Sequence, residues 1–154
     1  MGWTAFSTPL GWIALGWSSR GITALRLLES APEPQADAPP PFVDEARAAV
    51  EAFLGGASAT LGPLSLDLSG LPPFQRRCLE VLRSTRPGET LTYGELAARA
   101  GSPRAARAVG QAMRRNPLPI LVPCHRVVGE RWSGGYSFGQ GLATKRRLLD
   151  LERP

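Results

Sequence analysis

The sequence predicts an α+β fold, in which a small unit of strands and one helix precedes a mainly helical second half with a helix-turn-helix. Three observations predict it: short apolar segments separated by turn residues, two adjacent helix-start patterns, and the break at Ser69-Gly-Leu-Pro-Pro73. This break divides the chain into candidate domains 1–70 and 71–154. A length of 154 residues suits one or two small domains.

The first half is predicted to form a small sheet with one helix. Apolar or alternating residues between turn residues predict strands over 2–7, 11–17, 21–28 and 64–68. Short turns between adjacent strands favour antiparallel pairing. The proline-rich stretch 31–41 is expected to be a surface loop, and helical spacing predicts a helix over 43–54.

Two helices bracket the second half. Residues 74–82 carry Phe74, Cys78, Leu79 and Leu82 on one face, so Cys78 is interpreted as a core residue and Gln75 as facing solvent. Residues 143–151 form the last predicted helix.

A helix-turn-helix is predicted between them. Thr92 is the expected N-cap of a helix over 93–100, with Glu95 completing a capping box and a glycine following the helix. Ser102-Pro103 then predicts the start of a second helix that extends to about Arg115.

The second of these helices has a basic face. One arc holds Arg104, Arg107, Gln111, Arg114 and Arg115. Four residues of the helix are small, namely Ala105, Ala106, Ala108 and Gly110. An ordinary amphipathic surface helix remains an alternative. The small residues favour a recognition helix, because they let its backbone approach a nucleic-acid groove.

Charge is divided unequally between the halves. Residues 1–70 hold three basic and seven acidic residues, and residues 71–154 hold fifteen basic and six acidic residues. The net charges are therefore −4 and +9. A basic half suggests a polyanionic partner such as nucleic acid. Solubility combined with arginine-rich codon usage is the alternative, since Lys145 is the only lysine.

The number of cysteines and histidines argues against a structural zinc site and a disulfide framework. Two cysteines and one histidine give too few ligands for a structural zinc site and no disulfide framework. A reducing compartment, the cytoplasm, is expected. No apolar run reaches about 18 residues, so no transmembrane helix is expected. The N-terminus lacks a basic region before its apolar stretch, which argues against a signal peptide.

The stretch 119–128 is the candidate chemical centre. It predicts a short apolar strand that delivers Cys124 and His125. A cysteine attacks as a thiolate and needs a nearby base or cation. Side chains of neighbouring strand residues point to opposite faces, so cooperation requires a backbone turn at Pro123-Cys124. A structural cysteine beside a core histidine is the alternative.

Two later features could complete a site. The glycine-rich loop 129–141 contains Trp132 and Tyr136, which could stack on a planar ligand, although it could also be a plain surface connection. Glu152 near the chain end could orient His125 as the third member of a nucleophile, base and orienter set.

These segments together resemble the O6-alkylguanine-DNA alkyltransferases (methylated-DNA–protein-cysteine methyltransferases). The resemblance rests on Phe74-Gln75, Thr92-Tyr-Gly-Glu-Leu-Ala97, Ala105-Ala-Arg-Ala-Val-Gly110 and Asn116-Pro-Leu-Pro-Ile-Leu-Val-Pro-Cys-His-Arg-Val-Val128. It covers about residues 74–152. The first 70 residues match only in architecture, as a ribonuclease-H-like α/β domain.

The resemblance implies a suicide DNA repair enzyme. It would flip O6-alkylguanine out of double-stranded DNA and transfer the alkyl group irreversibly to Cys124 in a single turnover. His125 would act as the base through a water molecule, oriented by Glu152, and Asn116 would be the hinge beside the active-site strand. No cofactor or metal follows, and a monomer is expected. Acceptance of O4-alkylthymine is left open.

The same resemblance assigns the DNA and substrate contacts. Arg107 would fill the gap left by the flipped base, and Tyr93 would press the 3′ phosphate. The helix with Ala105, Ala106, Gly110 and Arg114 would enter the minor groove. The guanine pocket would be lined by Met113, Tyr136 and Ser137.

Departures and alternatives qualify this interpretation. The chain lacks the N-terminal zinc ligands of some relatives, and its segment 136–145 is longer than in typical members, which affects the pocket wall and the alignment of Glu152. Alkyltransferase-like binding proteins replace the acceptor cysteine, which is present here. A papain-type hydrolase needs a widely separated Cys and His. A plain helix-turn-helix regulator with a redox cysteine would leave the Cys124-His125 pair unexplained.

Overall fold

A computed structural model describes residues 1–33, 38–57 and 63–153. Its N-terminal part is a meander of three antiparallel strands in the order β1-β2-β3: β1 (Gly2–Thr8), β2 (Gly11–Ser18) and β3 (Gly21–Leu28). The predicted strands over 2–7, 11–17 and 21–28 are confirmed to within one residue. The predicted loop 31–41 lies partly outside the described residues.

Helix α1 (Pro41–Leu54) covers one face of this sheet. It starts two residues earlier than predicted, since prolines suit the first turn of a helix, where no intrahelical partner is needed for the N–H. Three residues of the helix, Val43, Ala46 and Val50, are fully buried. The apolar spacing of the sequence therefore corresponds to the packed face.

The predicted strand over 64–68 is wrong. This segment forms only an isolated parallel bridge between Ile22 and Leu66. The Ile22 N–H donates to the Ser65 carbonyl, and the Asp67 N–H donates to the Ile22 carbonyl, each at 2.8 Å. A Cβ at Gly21 would lie 2.6 Å from the Ser65 oxygen, so the close approach requires glycine. The segment is held at one point and does not extend the sheet.

The second half begins with α2 (Pro73–Arg83), followed by β4 (Leu91–Thr92), α3 (Tyr93–Arg99) and α4 (Ala106–Arg114). Strand β4 pairs in parallel with β5 (Val127–Val128), and α5 (Leu142–Leu151) is the last helix. The three helices α2, α3 and α4 pack on one another. The buried apolar core runs through both halves of the chain.

The capping box at α3 is confirmed. The Glu95 N–H donates to Thr92 Oγ1 at 3.0 Å, and the Thr92 N–H donates to Glu95 Oε1 at 3.2 Å. Gly101 follows the helix with φ +88°, as a glycine stop requires.

The predicted start of the next helix is wrong. Ser102 is not its N-cap and Pro103 is not its first residue, because α4 begins at Ala106 with Ala105 as the N-cap. The Ala105 N–H donates to the Ser102 carbonyl at 2.9 Å and closes a separate turn before the helix. The connection between α3 and α4 is therefore longer than expected.

Gln75 is buried rather than solvent-facing, so that expectation is also wrong. Its Nε2 donates to the Arg115 carbonyl at 3.0 Å and lies 3.5 Å from the Ala112 carbonyl. The last carbonyls of a helix have no intrahelical partner, and the amide satisfies them. Gln75 thus fixes the end of α4 against α2.

Candidate active site

The segment that leads to Cys124 is a series of turns, so the short apolar strand expected to deliver Cys124 and His125 is wrong. Asn116 holds these turns together: its Nδ2 donates to the Val122 carbonyl at 3.2 Å, and its Oδ1 accepts from the Leu118 N–H at 2.9 Å. Ile120 within them has φ +73°. A non-glycine residue in this region is strained by about 1–3 kcal/mol and persists only where its surroundings enforce it.

A single 3₁₀ turn over Cys124–Arg126 holds the candidate cysteine and histidine. The Arg126 N–H donates to the Pro123 carbonyl at 3.0 Å. The backbone therefore turns at Pro123-Cys124, as cooperation of the cysteine and histidine requires. The turn leads into β5, which is held by β4.

Cys124 is 5% exposed and borders a large cleft. Burial raises the pKa of its thiol, and the nearby Asn116, Tyr136 and Lys145 offset this only in part. The thiol is therefore protonated at neutral pH. Its conversion to a nucleophile needs a base at the moment of reaction.

His125, the middle residue of this turn, is fully buried. Its Nε2 lies 3.1 Å from Glu152 Oε1, although the direction of the N–H falls outside hydrogen-bond geometry. The Phe53 ring of α1 stacks on the imidazole at 6.1 Å between centroids. Burial lowers the pKa of His125, and Glu152 raises it by less. The imidazole is therefore neutral and able to accept a proton.

Glu152 is shared between His125 and Arg126. The Arg126 guanidinium donates to both carboxylate oxygens, through Nε at 3.0 and 3.1 Å and through Nη2. Its Nη1 donates to the Thr85 carbonyl and hydroxyl at 2.9 and 2.8 Å. Burial raises the pKa of Glu152, but these partners outweigh it and lower the pKa to about 2. The carboxylate stays ionised throughout the physiological range.

Sequence reasoning missed the roles of Arg126 and Lys145. The Lys145 Nζ is buried and donates to the Val127 carbonyl at 2.5 Å and to the Gly135 carbonyl at 3.2 Å. Burial lowers its pKa to about 8, and the neighbouring Cys124 opposes this shift once its thiol ionises. An available signal was that a chain with eighteen Lys and Arg residues has one lysine, next to the glycine-rich loop.

The cleft has a volume of about 1130 Å³. It brings together the residues predicted for the substrate pocket, Met113, Tyr136 and Ser137, with Cys124 and Tyr93. The Tyr136 hydroxyl is buried close to the Cys124 sulfur and has no hydrogen-bond partner among the described residues. The Tyr93 hydroxyl accepts from the Gly135 N–H at 3.0 Å, which fixes the loop beside it.

The predicted DNA-contacting residues are divided between the cleft and the surface. Gly110 and Arg114 line the cleft, whereas Ala106 and Arg107 are exposed at the start of α4 and Ala105 is half-buried. The basic arc is exposed throughout, at Arg104, Arg107, Gln111, Arg114 and Arg115. A Cβ at Gly110 would meet no atom within 4 Å. Packing within this chain therefore does not require glycine there.

Other candidate features lie away from this site. Cys78 is fully buried on α2, in agreement with its interpretation as a core residue. Within residues 1–33, 38–57 and 63–153 there is no group of three or more metal-ligating side chains. None of the described helices combines the length and the apolar composition needed to span a bilayer.

Comparison with known proteins gives one consistent result. The sequence model described as 6-O-methylguanine DNA methyltransferase, DNA binding domain, matches residues 73–154. The methylated-DNA–protein-cysteine methyltransferase of Methanothermobacter thermautotrophicus is 41% identical over 147 residues, covering 94% of this chain and 81% of that protein. The Mus musculus protein of the same name is 39% identical over 174 residues, covering 99% and 81%.

Solved structures are also similar to this chain along most of its length. The crystal structure of Mycobacterium tuberculosis OGT in complex with DNA has a TM-score of 0.80 and 38% identity, covering 97% of this chain and 92% of that one. The O6-methylguanine-DNA methyltransferase from Pyrococcus kodakaraensis has a TM-score of 0.72 and 25% identity, covering 99% and 100%.

The buried ion pair yields a stability prediction. Arg126→Leu leaves the Glu152 carboxylate buried without its bidentate partner, which should lower the free energy of unfolding in urea by about 3–5 kcal/mol. Arg153→Leu is the control, because it breaks the exposed pair with Asp150 and should cost about 0–1 kcal/mol. The double variant Arg126→Leu/Glu152→Leu should recover part of the loss; a double variant that loses the sum of both single losses would contradict this account.

Proposed function

Since this chain belongs to the methylated-DNA–protein-cysteine methyltransferase family, we propose that it repairs O6-alkylguanine in double-stranded DNA by moving the alkyl group to Cys124. The observation that carries the proposal is the buried Cys124 thiol at the wall of the cleft, on the same turn as the neutral His125. A protonated nucleophile and a neutral base within one short turn are suited to a single displacement step.

The proposed step forms one bond and breaks one. His125 takes the thiol proton, through a bridging water, and Glu152 stabilises the resulting imidazolium. The sulfur then donates an electron pair to the alkyl carbon as the bond from that carbon to guanine O6 breaks. That bonding pair stays on guanine, which takes up a proton as it leaves. The product is a thioether on Cys124, so each chain acts once and the reaction takes no cofactor.

Burial explains why a histidine is needed. The pKa of the Cys124 thiol is raised, so the free thiolate is scarce. The pKa of His125 is lowered, so the imidazole is available as a base. Asn116 holds the turn that carries the cysteine, and Glu152 holds the histidine from the other side.

We assign DNA binding to α3 and α4, acting as a helix-turn-helix. The small residues Ala105, Ala106 and Gly110 let the α4 backbone approach the minor groove. Support comes from Gly110, where a side chain would meet only open space. The arginines of the basic arc neutralise phosphates.

In this proposal Arg107 and Tyr93 contact the DNA where the nucleotide is flipped out. Arg107 is exposed and makes no hydrogen bond or ion pair with another side chain among the residues that the structure describes, so it is free to enter the base stack. Tyr93 stands at the cleft and presses the 3′ phosphate. The base enters between Met113, Tyr136 and Ser137, which line the cleft around Cys124. Arg114, at the cleft rim, contacts the DNA backbone.

The two halves have separate tasks in this scheme. Residues 71–154 bind DNA and accept the alkyl group, and residues 1–70 form a ribonuclease-H-like supporting domain. The stacking of Phe53 on His125 supports that role, because α1 then forms part of the wall behind the active turn. All proposed site residues come from one chain, which suits a monomer.

The first prediction concerns the alkyl acceptor. Incubation with duplex DNA that contains O6-methylguanine should add one methyl group to the intact protein, mapped to Cys124. Cys124→Ala should abolish the mass gain. Cys78→Ala, which removes the other cysteine, is the matched control and should retain it. Binding without transfer would indicate an alkyltransferase-like protein, and repeated turnover by one chain would contradict the single-use mechanism.

The second prediction concerns pH. Since the pKa of His125 is lowered from 6.5, the single-turnover rate should be constant just above pH 6.5 and fall below it, once His125 becomes protonated. Lys145 has a pKa of about 8, so it loses its proton mainly above the pH range in which His125 titrates. Duplex binding at each pH is the control. A rate that rises in proportion to hydroxide across pH 6.5 would indicate attack by free thiolate without the histidine.

The third prediction separates flipping from chemistry. Arg107→Ala should slow transfer from duplex DNA by about tenfold or more, the usual loss for one specific arginine contact. Transfer from the free base O6-methylguanine should be unchanged, because no flipping is required. Arg104→Ala, on the same arc, should show mainly a weaker salt dependence of binding. Equal losses on duplex and free base would refute the assigned role of Arg107.

A further inference from the structure

Helix α1 of the N-terminal half contacts the active turn near its C-terminal end. Its residue Phe53 stacks on the His125 imidazole, with 6.1 Å between the ring centroids and 30° between the ring planes. Helices α2 and α5 of the other half also pack on this turn. The histidine is therefore enclosed by helices from both halves of the chain.

Phe53 stands between His125 and water. The phenylalanine is 4% exposed and the histidine is fully buried. Helix α1 ends at Leu54, one residue further on, and residues 55–57 are exposed. The phenyl ring thus separates the imidazole from the solvent-exposed end of the helix.

Few ionisable groups surround the imidazole. The charged groups that act on it are Glu152 at the end of α5, Arg126 on the same turn and Lys145 of α5. Among the residues that the structure describes, neither α1 nor α2 buries a charged side chain. Cys78 of α2 and the adjacent Cys124 are titratable, but burial raises the pKa of both thiols and keeps them neutral.

Enclosure from water decides the protonation state of His125. Burial is the largest effect on its pKa and lowers it below 6.5, and the opposing effect of Glu152 is smaller. Water would weaken both effects, because it solvates the imidazolium and screens the neighbouring charges. Entry of water would therefore return the pKa toward its ordinary value of about 6.5.

We propose that Phe53 is a positioning residue for alkyl transfer: its ring excludes water from behind His125 and so keeps the imidazole available as the base. This inference rests on the proposed function. Phe53 does not line the cleft, so it acts through the histidine and not on the substrate. The N-terminal half thereby gains a task in the chemistry, in addition to its task in the fold.

The test is an NMR titration of the imidazole in the full chain, prepared without a histidine tag. The sequence has one histidine, so every imidazole signal comes from His125. Phe53→Ala opens the wall and is the test variant. Phe53→Met is the filled control, because a flexible apolar side chain closes irregular gaps. Leu54→Ala is the cavity control: it removes a buried apolar side chain of the same helix that points about 100° away from Phe53.

The wild-type histidine should titrate below pH 6.5. Phe53→Ala should move its pKa upward toward 6.5, whereas Phe53→Met and Leu54→Ala should leave it at the wild-type value. Thermal unfolding shows whether each variant is folded at the temperature of the titration. If Phe53→Ala does not fold, Phe53→Val, which leaves a smaller opening, should move the pKa in the same direction.

The pH dependence of methyl transfer is the second readout. A histidine with an ordinary pKa is about half protonated at pH 6.5. Single-turnover transfer by Phe53→Ala should therefore fall at pH 6.5 to about half of its own rate at pH 7.5, while the wild type keeps most of its rate. The two proteins should converge at pH 7.5, where the imidazole is neutral in both.

Three results would overturn the inference. An unchanged pKa in folded Phe53→Ala would show that other groups exclude the water. A lower pKa would show that the ring instead stabilises the imidazolium through a cation–π contact. A wild-type pKa of 6.5 or higher would show that the histidine is not kept dry. Absence of methyl transfer by the wild type would instead refute the proposed function, and the titration would still show whether Phe53 keeps water from His125.

Discussion

The buried Glu152 carboxylate is the constraint on which the active site depends. A carboxylate out of contact with water must be paired, and here it is held by Arg126 and approached by His125. Arg126 also donates a hydrogen bond to Thr85, which lies just after the end of α2. One charge therefore ties the end of α5, the Cys124 turn and the end of α2 together. Loss of that charge balance would affect the fold and the chemistry at once.

The same burial sets the acid-base state of the reactive pair. Enclosure keeps the Cys124 thiol protonated and keeps the His125 imidazole neutral. In this state the cysteine is protected from chance electrophiles and oxidants, which react with thiolates. In the proposed mechanism, transfer of the thiol proton to His125 is then part of the reaction. A single-use protein benefits from a nucleophile that is inactive until its substrate is in place.

The molecule separates rigid from exposed parts. The exposed arc of α4 is free to meet DNA, while Gln75 of α2 fixes the end of that helix. The first sheet is fixed to the Cys124 cleft by the hydrogen bond from the Leu25 N–H to the Pro117 carbonyl, and α1 packs Phe53 on His125. The acidic half is thus more than a distant support, because its residues border both sides of the active turn.

Local patterns in the sequence determined the three strands, the capping box at Thr92 and the Cys124-His125 motif, because each depends on residues close in the chain. The extended strand expected before Cys124 became a series of turns, since Asn116 bonds across it. The tertiary structure alone decided that Gln75 is buried, that Arg126 holds Glu152 and that Lys145 lies beside the cysteine. Each of these depends on a partner far away in sequence, and the energy of burying a polar group is set only when the fold supplies that partner.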